Sequence, residues 1–242
     1  MTELGQLLLW DSAFFGRRIG RITPGRLDAA TLAAALRWAD DEHIETLYML
    51  ADADDAATVE LLESASFGLK DLRVTLARSP TPLPPAPPLP AGARIDHAQP
   101  EDLPALAALA RVSHTDTRFF YDRRFPPEAA AELYALWLQR RGAGPTLTLA
   151  LRYDDEPAGY IAGTVADDTG QISLIALSAA LRGQGLGQAL VHAALVWFVE
   201  QGAGRCTVVT QGRNITAQRL YQRAGFRTSA VQLWYHRWFE RG

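Results

Sequence analysis

Residues 172–187 read Ile-Ser-Leu-Ile-Ala-Leu-Ser-Ala-Ala-Leu-Arg-Gly-Gln-Gly-Leu-Gly, an apolar strand pattern that passes through a glycine-rich turn into a helix. The chemistry open to such a turn lies in its backbone. Glycine takes up φ/ψ values that side chains forbid and lets a ligand come close. The unpartnered N–H groups of a helix start, with the positive end of the helix dipole, then attract an anion. Three phosphate-binding patterns share this logic, and spacing separates them. A P-loop needs Gly-x-x-x-x-Gly-Lys-Ser/Thr, and Lys70 is the chain's only lysine. A dinucleotide fingerprint needs Gly-x-Gly-x-x-Gly, and after Gly183 and Gly185 the third position holds Gln188. What remains is Arg182-x-x-Gly185-x-Gly187. Further on, Asn214 precedes a helix that carries Tyr221 and ends at Ala224-Gly225-Phe226. A positioned phenol can act as a general acid; otherwise Tyr221 is a half-buried tyrosine with a solvated hydroxyl. Phe226 is apolar core under either reading.

The loop resembles the Arg/Gln-x-x-Gly-x-Gly/Ala pyrophosphate loop of the GCN5-related N-acetyltransferases (GNAT), and Asn214, Tyr221 and Gly225-Phe226 follow in that family's order. The resemblance covers about 92–242. It implies an α/β GNAT fold, a mixed and partly splayed central sheet flanked by helices, with acetyl-CoA as cosubstrate. Carried onto this chain, it implies that Ile175, Ala176 and Leu177, then Arg182, Gly183, Gln184, Gly185, Leu186, Gly187 and Gln188, and finally Asn214 hold acetyl-CoA. The pantetheine amides would pair with the open strand edge as an added strand does. A backbone N–H near Leu177 would polarise the thioester carbonyl, and Tyr221 would be the catalytic acid. Arg182 either touches phosphate or only braces the loop. The base stays open between His114, Asp116 and water.

Shorter motifs resemble the bacterial dTDP-fucosamine acetyltransferases: Leu9-Trp10-Asp11-Ser12-x-Phe14-Phe15-Gly16, Arg124-Phe125-Pro126-Pro127 with Leu133-Tyr134-x-x-Trp137, and Gln232-Leu-Trp-Tyr-His-Arg237. That resemblance implies a small-molecule acceptor, the 4-amino group of a nucleotide-linked 4-amino-4,6-dideoxyhexose. The loop from Ser113 to Arg124 suits such a ligand through His114, Asp116, Arg118 and Tyr121: arginines would face a pyrophosphate and aromatics would stack on base or sugar. As a plain surface loop it would do neither. The alternatives are another amine, a protein N-terminus, or a non-catalytic acyl-CoA-binding module.

Hydrophobic periodicity supplies the elements that must hold these residues. The front half reads β-α-β-α-β, with strands at Leu7–Trp10, Thr46–Leu50 and Leu72–Ala77 and helices at Asp28–Asp41 and Asp55–Ser66. The back half opens with a strand at Ala93–Asp96, a helix at Pro100–Arg111 and another at Pro127–Arg140. Strands follow at Leu147–Tyr153, Pro157–Asp167 and Gln171–Leu177. Helix Gly187–Glu200, strand Arg205–Thr210, helix Ile215–Ala224 and strand Ala230–Trp238 complete it.

Seven of the 14 prolines fall between Pro80 and Pro90, an extended, semi-rigid spacer. The expected division is a half-domain at 1–79, a linker at 80–91 and a GNAT domain at 92–242. An offset of 159 positions sets Ala34-Ala35-Leu36 on Ala193-Ala194-Leu195, Trp38 on Trp197, Leu61 on Leu220 and Phe67 on Phe226. Either two Ala-rich helices agree by chance, or the front half is a worn copy of the back half's C-terminal portion. In this register Gly185, Gly187, Asn214 and Tyr221 face Arg26, Asp28, Asp55 and Leu62. The front copy is expected to be degenerate and non-catalytic.

Composition bounds the rest. With 242 residues, 48% apolar and 21% charged, the chain is ordinary globular protein. Its net charge of −3 argues against a dedicated nucleic-acid binder. Cys206 is alone, which excludes an intramolecular disulfide framework, and it reads as a small core residue of the strand Cys206–Val209. The five histidines lack metal-ligand spacing, so no metal is expected. Trp38 and Trp197 read as core. No apolar run is long enough to span a bilayer, and the N-terminus lacks a signal peptide's basic region. The expectation is a soluble, cytoplasmic enzyme with no membrane partner; a homodimer is compatible with it.

Overall fold

The computed structural model describes residues 4–139 and 144–240. Along the chain run β1 (Gly5–Leu7), α1 (Leu9–Phe15), β2 (Ile19–Ile22), α2 (Ala29–Asp41), β3 (Thr46–Asp52), α3 (Ala56–Ser64) and β4 (Gly68–Arg78). After the proline segment come β5 (Ala93–His97), α4 (Leu103–Ser113), the single turn α5 (Arg118–Tyr121), α6 (Pro127–Gln139), β6 (Thr146–Tyr153), β7 (Glu156–Ala166) and β8 (Thr169–Leu177). The last elements are α7 (Leu186–Glu200), β9 (Arg205–Gln211), α8 (Ile215–Arg223) and β10 (Arg227–Trp238). Arg140, the expected end of α6, and Met1–Glu3 lie outside the described residues.

The front half differs from its β-α-β-α-β expectation. Leu9 and Trp10 open a helix, in which Trp10 and Phe14 stack with ring centroids 5.1 Å apart, as the i,i+4 spacing allows. The four-residue β2, interrupted by Gly20, was not expected.

The described residues form two compact units that do not follow the expected division at 79 and 92. The first takes in the residues up to Arg73, Thr117–Phe125, and those from Val231 on; Val74–Asp116 and Pro126–Ala230 make the second.

In the first unit β1 runs antiparallel to β2, β2 parallel to β3, and β10 antiparallel to β3 from Gln232↔Asp52 to Trp238↔Thr46. Alternation along β10 explains why its end belongs here. Leu233 and Tyr235 pack into the core of Ile22, Leu32, Ala35, Leu47, Met49 and Leu62. On the opposite side of β10, Trp234 and His236 meet Tyr48. Phe125 of the 117–125 segment packs on His236, and Phe15 of α1 packs on Phe119 and Phe125.

In the second unit β5, β6, β7 and β8 form an antiparallel meander, and β9 lies parallel to β8. The remainder of β4 flanks β9. Helix α7 buries Leu186, Ala189, Leu190, Val191, Ala194, Leu195 and Phe198, a stripe at helical spacing. Against it stand Leu147, Leu149, Leu151, Ile161 and Val165. Phe198 sits where the sheet has no side chains: a Cβ at Gly170 would lie 2.5 Å from its ring, and one at Gly163 3.0 Å. Cys206 is fully buried in this core, as expected. Helix α4 is tied to the sheet by the buried Asp102, which accepts hydrogen bonds from the Gln99 amide at 2.7 Å and from Arg152 at 2.6 Å. No helix among the described residues is long and apolar enough to cross a membrane.

The repeat is carried by the elements themselves. β3 and β9, α3 and α8, and β4 and β10 begin 159 positions apart, at Thr46 and Arg205, Ala56 and Ile215, and Gly68 and Arg227. Each unit contains the final strand segment of the other half of the sequence.

A fragment of residues 92–242 keeps Leu233, Tyr235, Trp234 and His236 but loses β3 and its core. It should aggregate or fail to give a cooperative melt, and size-exclusion chromatography with thermal denaturation tests this. A monodisperse, cooperatively melting fragment would contradict the division described here.

Candidate active site

The ladder between β8 and β9 runs only from Thr169↔Arg205 to Ile172↔Val208, although β8 continues to Leu177 and β9 to Gln211. The cause of the parting is visible on the other side of β8. Gly163 pairs with Ile172 and Ala162 with Leu174, so Ser173 has no counterpart on β7. This is a β-bulge, which bends a strand and increases its twist. Past the bulge, the Ser178 amide donates to Ala158 O at 2.8 Å. Backbone groups alternate sides along a strand, so Ala176 faces β7 as well. Ile175 and Leu177 turn their N–H and C=O groups to the open edge. Of the three residues expected at this edge, Ala176 therefore offers no backbone group to it, and its side chain is buried.

At the end of the gap the chain makes a single 3₁₀ turn, Ala179–Leu181, and enters the glycine loop. Gly183 has φ +80° and Gly185 φ +81°, in the left-handed region that favours glycine, with nothing within 4 Å of either Cβ position. The amides of Gly183, Gln184 and Gly185 find no acceptor among the described residues. Those of Leu186 and Gly187, in the first turn of α7, have none within the helix. Gln188 is the first to bond, to Gly185 O at 2.9 Å. Five consecutive N–H groups without an acceptor stand at a helix N-terminus, a setting that attracts anions.

Several neighbours serve to shape it. Arg182 Nε donates to Leu177 O at 3.2 Å and so braces the strand end. Gln184 folds back on Ala180 O at 3.0 Å. Leu186 is buried and offers only its amide. Gly187 lies close against α8: a Cβ there would stand 3.3 Å from Leu220, a tight contact. Gln188 Nε2 reinforces that contact by donating to Leu220 O at 2.8 Å.

Helix α8 is capped by Asn214, whose Oδ1 accepts from the Ala217 amide at 3.0 Å. The cap sets where the helix starts and hence where Tyr221 stands. Tyr221 is only 4% exposed, more buried than the half-buried alternative supposed. Its ring packs edge-on to Phe226 at 6.0 Å. The hydroxyl bonds to no described residue, yet its oxygen is not sealed from accessible space. Burial pushes the phenol's pKa up, so it holds its proton at neutral pH.

The four expected acceptor residues do not fall in one unit. His114 and Asp116 belong to the second unit, Arg118 and Tyr121 to the first. Asp116 is exposed, and Tyr121 is 60% exposed. His114 Nε2 lies 2.7 Å from the hydroxyl of Tyr160, and its ring stacks on Tyr134. Tyr160 stands opposite Ala176 on β7, beside the open stretch of β8. Burial drives the His114 imidazole down to about 4, so it is neutral at pH 7. Tyr160 escaped the sequence reading because a tyrosine within an apolar strand carries no local signal. The loop around Arg118 is more structured than expected, with Phe119 and Phe125 each 2% exposed.

A bulge-parted sheet, a glycine turn at the gap and a tyrosine on the following helix define the GNAT fold. Structural comparison agrees. The chain superposes on a GCN5-related N-acetyltransferase from Sphaerobacter thermophilus with a TM-score of 0.71 at 17% identity, covering 98% of this chain and 77% of that one. A GCN5-related N-acetyltransferase from Kribbella flavida gives 0.64 at 20% identity, over 90% and 80%. In sequence, residues 109–226 match the acetyltransferase (GNAT) family. The chain therefore has the GNAT fold, and its residues 109–226 resemble the GNAT acetyltransferases, whose members use acetyl-CoA. It is also similar to the spore coat polysaccharide biosynthesis protein SpsD of Bacillus subtilis (strain 168), 29% identical over 141 residues, 58% of this chain and 49% of that protein. The chain thus spans about half the length of this curated relative.

Two outcomes test the geometry. Gly185→Val and Gly202→Val both place a side chain on a backbone with positive φ and open surroundings, +81° and +74°. Each should lower stability by about 1–2 kcal/mol, but only Gly185→Val should abolish retention on a CoA affinity resin; equal retention by both variants would remove the cradle.

The second outcome concerns pH. The His114 pKa is depressed in the folded state, so the unfolded chain binds this proton first. The stability it contributes is complete above about 6.5 and is lost as pH falls to about 4. His114→Gln should reduce the slope of melting temperature over that window, and an unchanged slope would place the titration elsewhere.

Proposed function

We propose that this chain moves the acetyl group of acetyl-CoA directly to a primary amine, the 4-amino group of a nucleotide-linked 4-amino-4,6-dideoxyhexose. The observation that carries acetyl transfer is the open edge of β8 with Tyr221 on the adjoining helix. The amides of residues 183–187 suit the pyrophosphate, and the edge groups of Ile175 and Leu177 suit the amides of the pantetheine arm. Acetyl-CoA supplies the acetyl group as a thioester, whose carbonyl carbon the amine attacks while the C–S bond breaks. An N–H on the open edge can hold the developing charge of the carbonyl oxygen. Tyr221 gives its phenolic proton to the departing thiolate, a role that needs a phenol kept protonated by burial. The amine's proton goes to His114, Asp116 or water, and burial, which holds the His114 imidazole near 4, makes that ring a weaker base. Its Nε2 is engaged with Tyr160, while Nδ1 bonds to no described residue.

The front copy is read as scaffold for a physical reason. The carboxylate of Asp28 caps α2, accepting from the Thr31 amide at 2.7 Å. That helix start already holds an anion of its own. Leu62 stands at the position equivalent to Tyr221 and is fully buried.

The amino-sugar acceptor rests on the motifs resembling the dTDP-fucosamine acetyltransferases and on the likeness to a protein named for polysaccharide biosynthesis. Thiol release with a panel of amines tests it. The nucleotide-linked 4-amino sugar should give the highest kcat/KM, and a better simple amine or peptide N-terminus would overturn the acceptor. No thiol release with any amine, despite CoA binding, would leave a binding module instead.

Tyr221→Phe should lower kcat about 10²-fold, the low end for a general acid because a thiolate leaves readily, with little change in the KM for acetyl-CoA. The defect should grow with less basic amines. Unchanged kcat, with chemistry rate-limiting, would make Tyr221 a packing residue.

A further inference from the structure

The first unit holds a cation with no counter-ion. Arg118 is half-buried, and its guanidinium carbon lies 4.1 Å from the Trp234 ring centroid and 4.3 Å from those of Tyr48 and Phe119. Among the described residues no carboxylate forms an ion pair with it. Instead Nη1 lies 2.9 Å from Nε2 of His236. His236 is 1% exposed, and its Nδ1 lies 2.8 Å from Oδ2 of Asp122, which also accepts from Trp238 Nε1 at 3.0 Å.

This chain of contacts has one consistent protonation. Burial drives the His236 imidazole down to about 4 even though Asp122 opposes it. Burial raises the Asp122 carboxyl, but hydrogen bonds from His236 and Trp238 outweigh that and keep it ionised. His236 is then neutral, with Nδ1–H donating to Asp122 and the Nε2 lone pair accepting from Arg118. A guanidinium cannot act as an acceptor, so the reverse assignment fails. Asp122 therefore fixes the histidine tautomer, and the histidine fixes the guanidinium.

One of the five guanidinium N–H groups is used in this way, Arg118 also acts as a donor toward the Tyr48 hydroxyl, and the others bond to no described residue. Ring faces bound the group without satisfying a donor. Two further arginines stand nearby in the same unit, Arg17 and Arg124, 5.3 and 5.5 Å from the Trp238 ring centroid. Lys70 lies 3.8 Å from Asp122. Arg17 and Arg124 thus stand over Trp238 and Lys70 beside Asp122, while the Asp11 carboxylate also acts on Tyr48. A planar fork of open donors in an electropositive, aromatic-walled setting matches the geometry of a phosphate oxyanion.

We infer that Arg118, oriented by His236 and Asp122 and walled by Tyr48 and Trp234, is a binding site for a diphosphate group. This rests on the nucleotide-linked acceptor proposed above and assigns the residues that recognise its phosphates. Two charged phosphates, rather than one carboxylate, answer the surplus of arginines. His236 and Asp122 are positioning residues, which act through Arg118.

The test is calorimetric titration of the full chain with saturating CoA present, so that the glycine loop is occupied. The probes are inorganic pyrophosphate, thymidine 5′-diphosphate and thymidine. Pyrophosphate and thymidine diphosphate should bind, with thymidine at least tenfold weaker than the diphosphate. Arg118→Met keeps the stack on the rings and should lose binding of both phosphates at least tenfold. Arg118→Lys keeps charge but not the fork and should fall between. His236→Gln offers an amide oxygen in place of Nε2 and should recover most of the affinity that His236→Phe loses. Melting curves and CoA affinity confirm that each variant is folded.

Wild-type affinity for pyrophosphate in Arg118→Met would overturn the inference, and so would a wild-type chain that binds neither phosphate probe. The acceptor proposal fails separately: if the wild type binds pyrophosphate through Arg118 but acetylates no nucleotide-linked amine, the site stands and that acceptor does not. If Arg118→Met changes nothing while the wild type acetylates the nucleotide sugar, the acceptor stands and the site does not.

Discussion

Backbone hydrogen bonding at one strand governs the candidate active site. A strand inside a sheet normally satisfies its N–H and C=O groups on both sides, and unpaired backbone groups are costly wherever water is excluded. β8 does so only as far as Ile172. The extra residue at Ser173 bends the strand away from β9, and the groups of Ile175 and Leu177 are left facing a gap. Everything distinctive around the gap is arranged to keep it open. Arg182 caps the carbonyl of Leu177, the glycine turn leaves its own amides unbonded, and α8 brings a lone phenol alongside. A side chain filling the gap, or a ladder that closed it, would satisfy the backbone and remove the site.

The two copies of the repeat differ in how each treats the start of a helix. Both present a helix start after a short strand. In the back copy the cap is Gly185, with no side chain and a backbone open to the outside. In the front copy it is Asp28, whose carboxylate neutralises the same dipole end from within the chain. The electrostatic demand is equal, and one copy meets it internally. Leu62 for Tyr221 completes the difference, since an aliphatic side chain keeps the packing and drops the proton.

Dry surroundings decide which side chains can carry protons. Tyr221 and Tyr160 stay protonated, and His114 and His236 stay neutral, because burial disfavours every charged form. Helped by the charge of Lys70, Asp122 keeps its charge against the same penalty through hydrogen bonds from His236 and Trp238. Its charge is spent on orienting His236 rather than on protonating it. The result is a guanidinium held in place by a neutral ring instead of a counter-ion.

Sequence alone was sufficient for features whose cause lies within a few residues. Glycine spacing announced the positive φ values at 183 and 185, and period-2 and period-3.6 patterns located most strands and helices, including the helix that follows Asn214. The offset of 159 predicted pairs of elements that begin in that register. Short or mixed segments were harder: Leu9–Trp10 looked like a strand because three apolar residues precede Trp10, and β2 is four residues with a glycine inside. What depended on partners far along the chain could not be read. The bulge at Ser173 exists only relative to β7. Leu220 approaches closely at Gly187, and the polar, aromatic stretch 117–125 joins the first unit because its phenylalanines meet Phe15 and the end of β10. Local conformational freedom is a property of neighbouring residues. Burial, pairing and protonation are set by whichever distant groups the fold brings into contact, and those are fixed only in three dimensions.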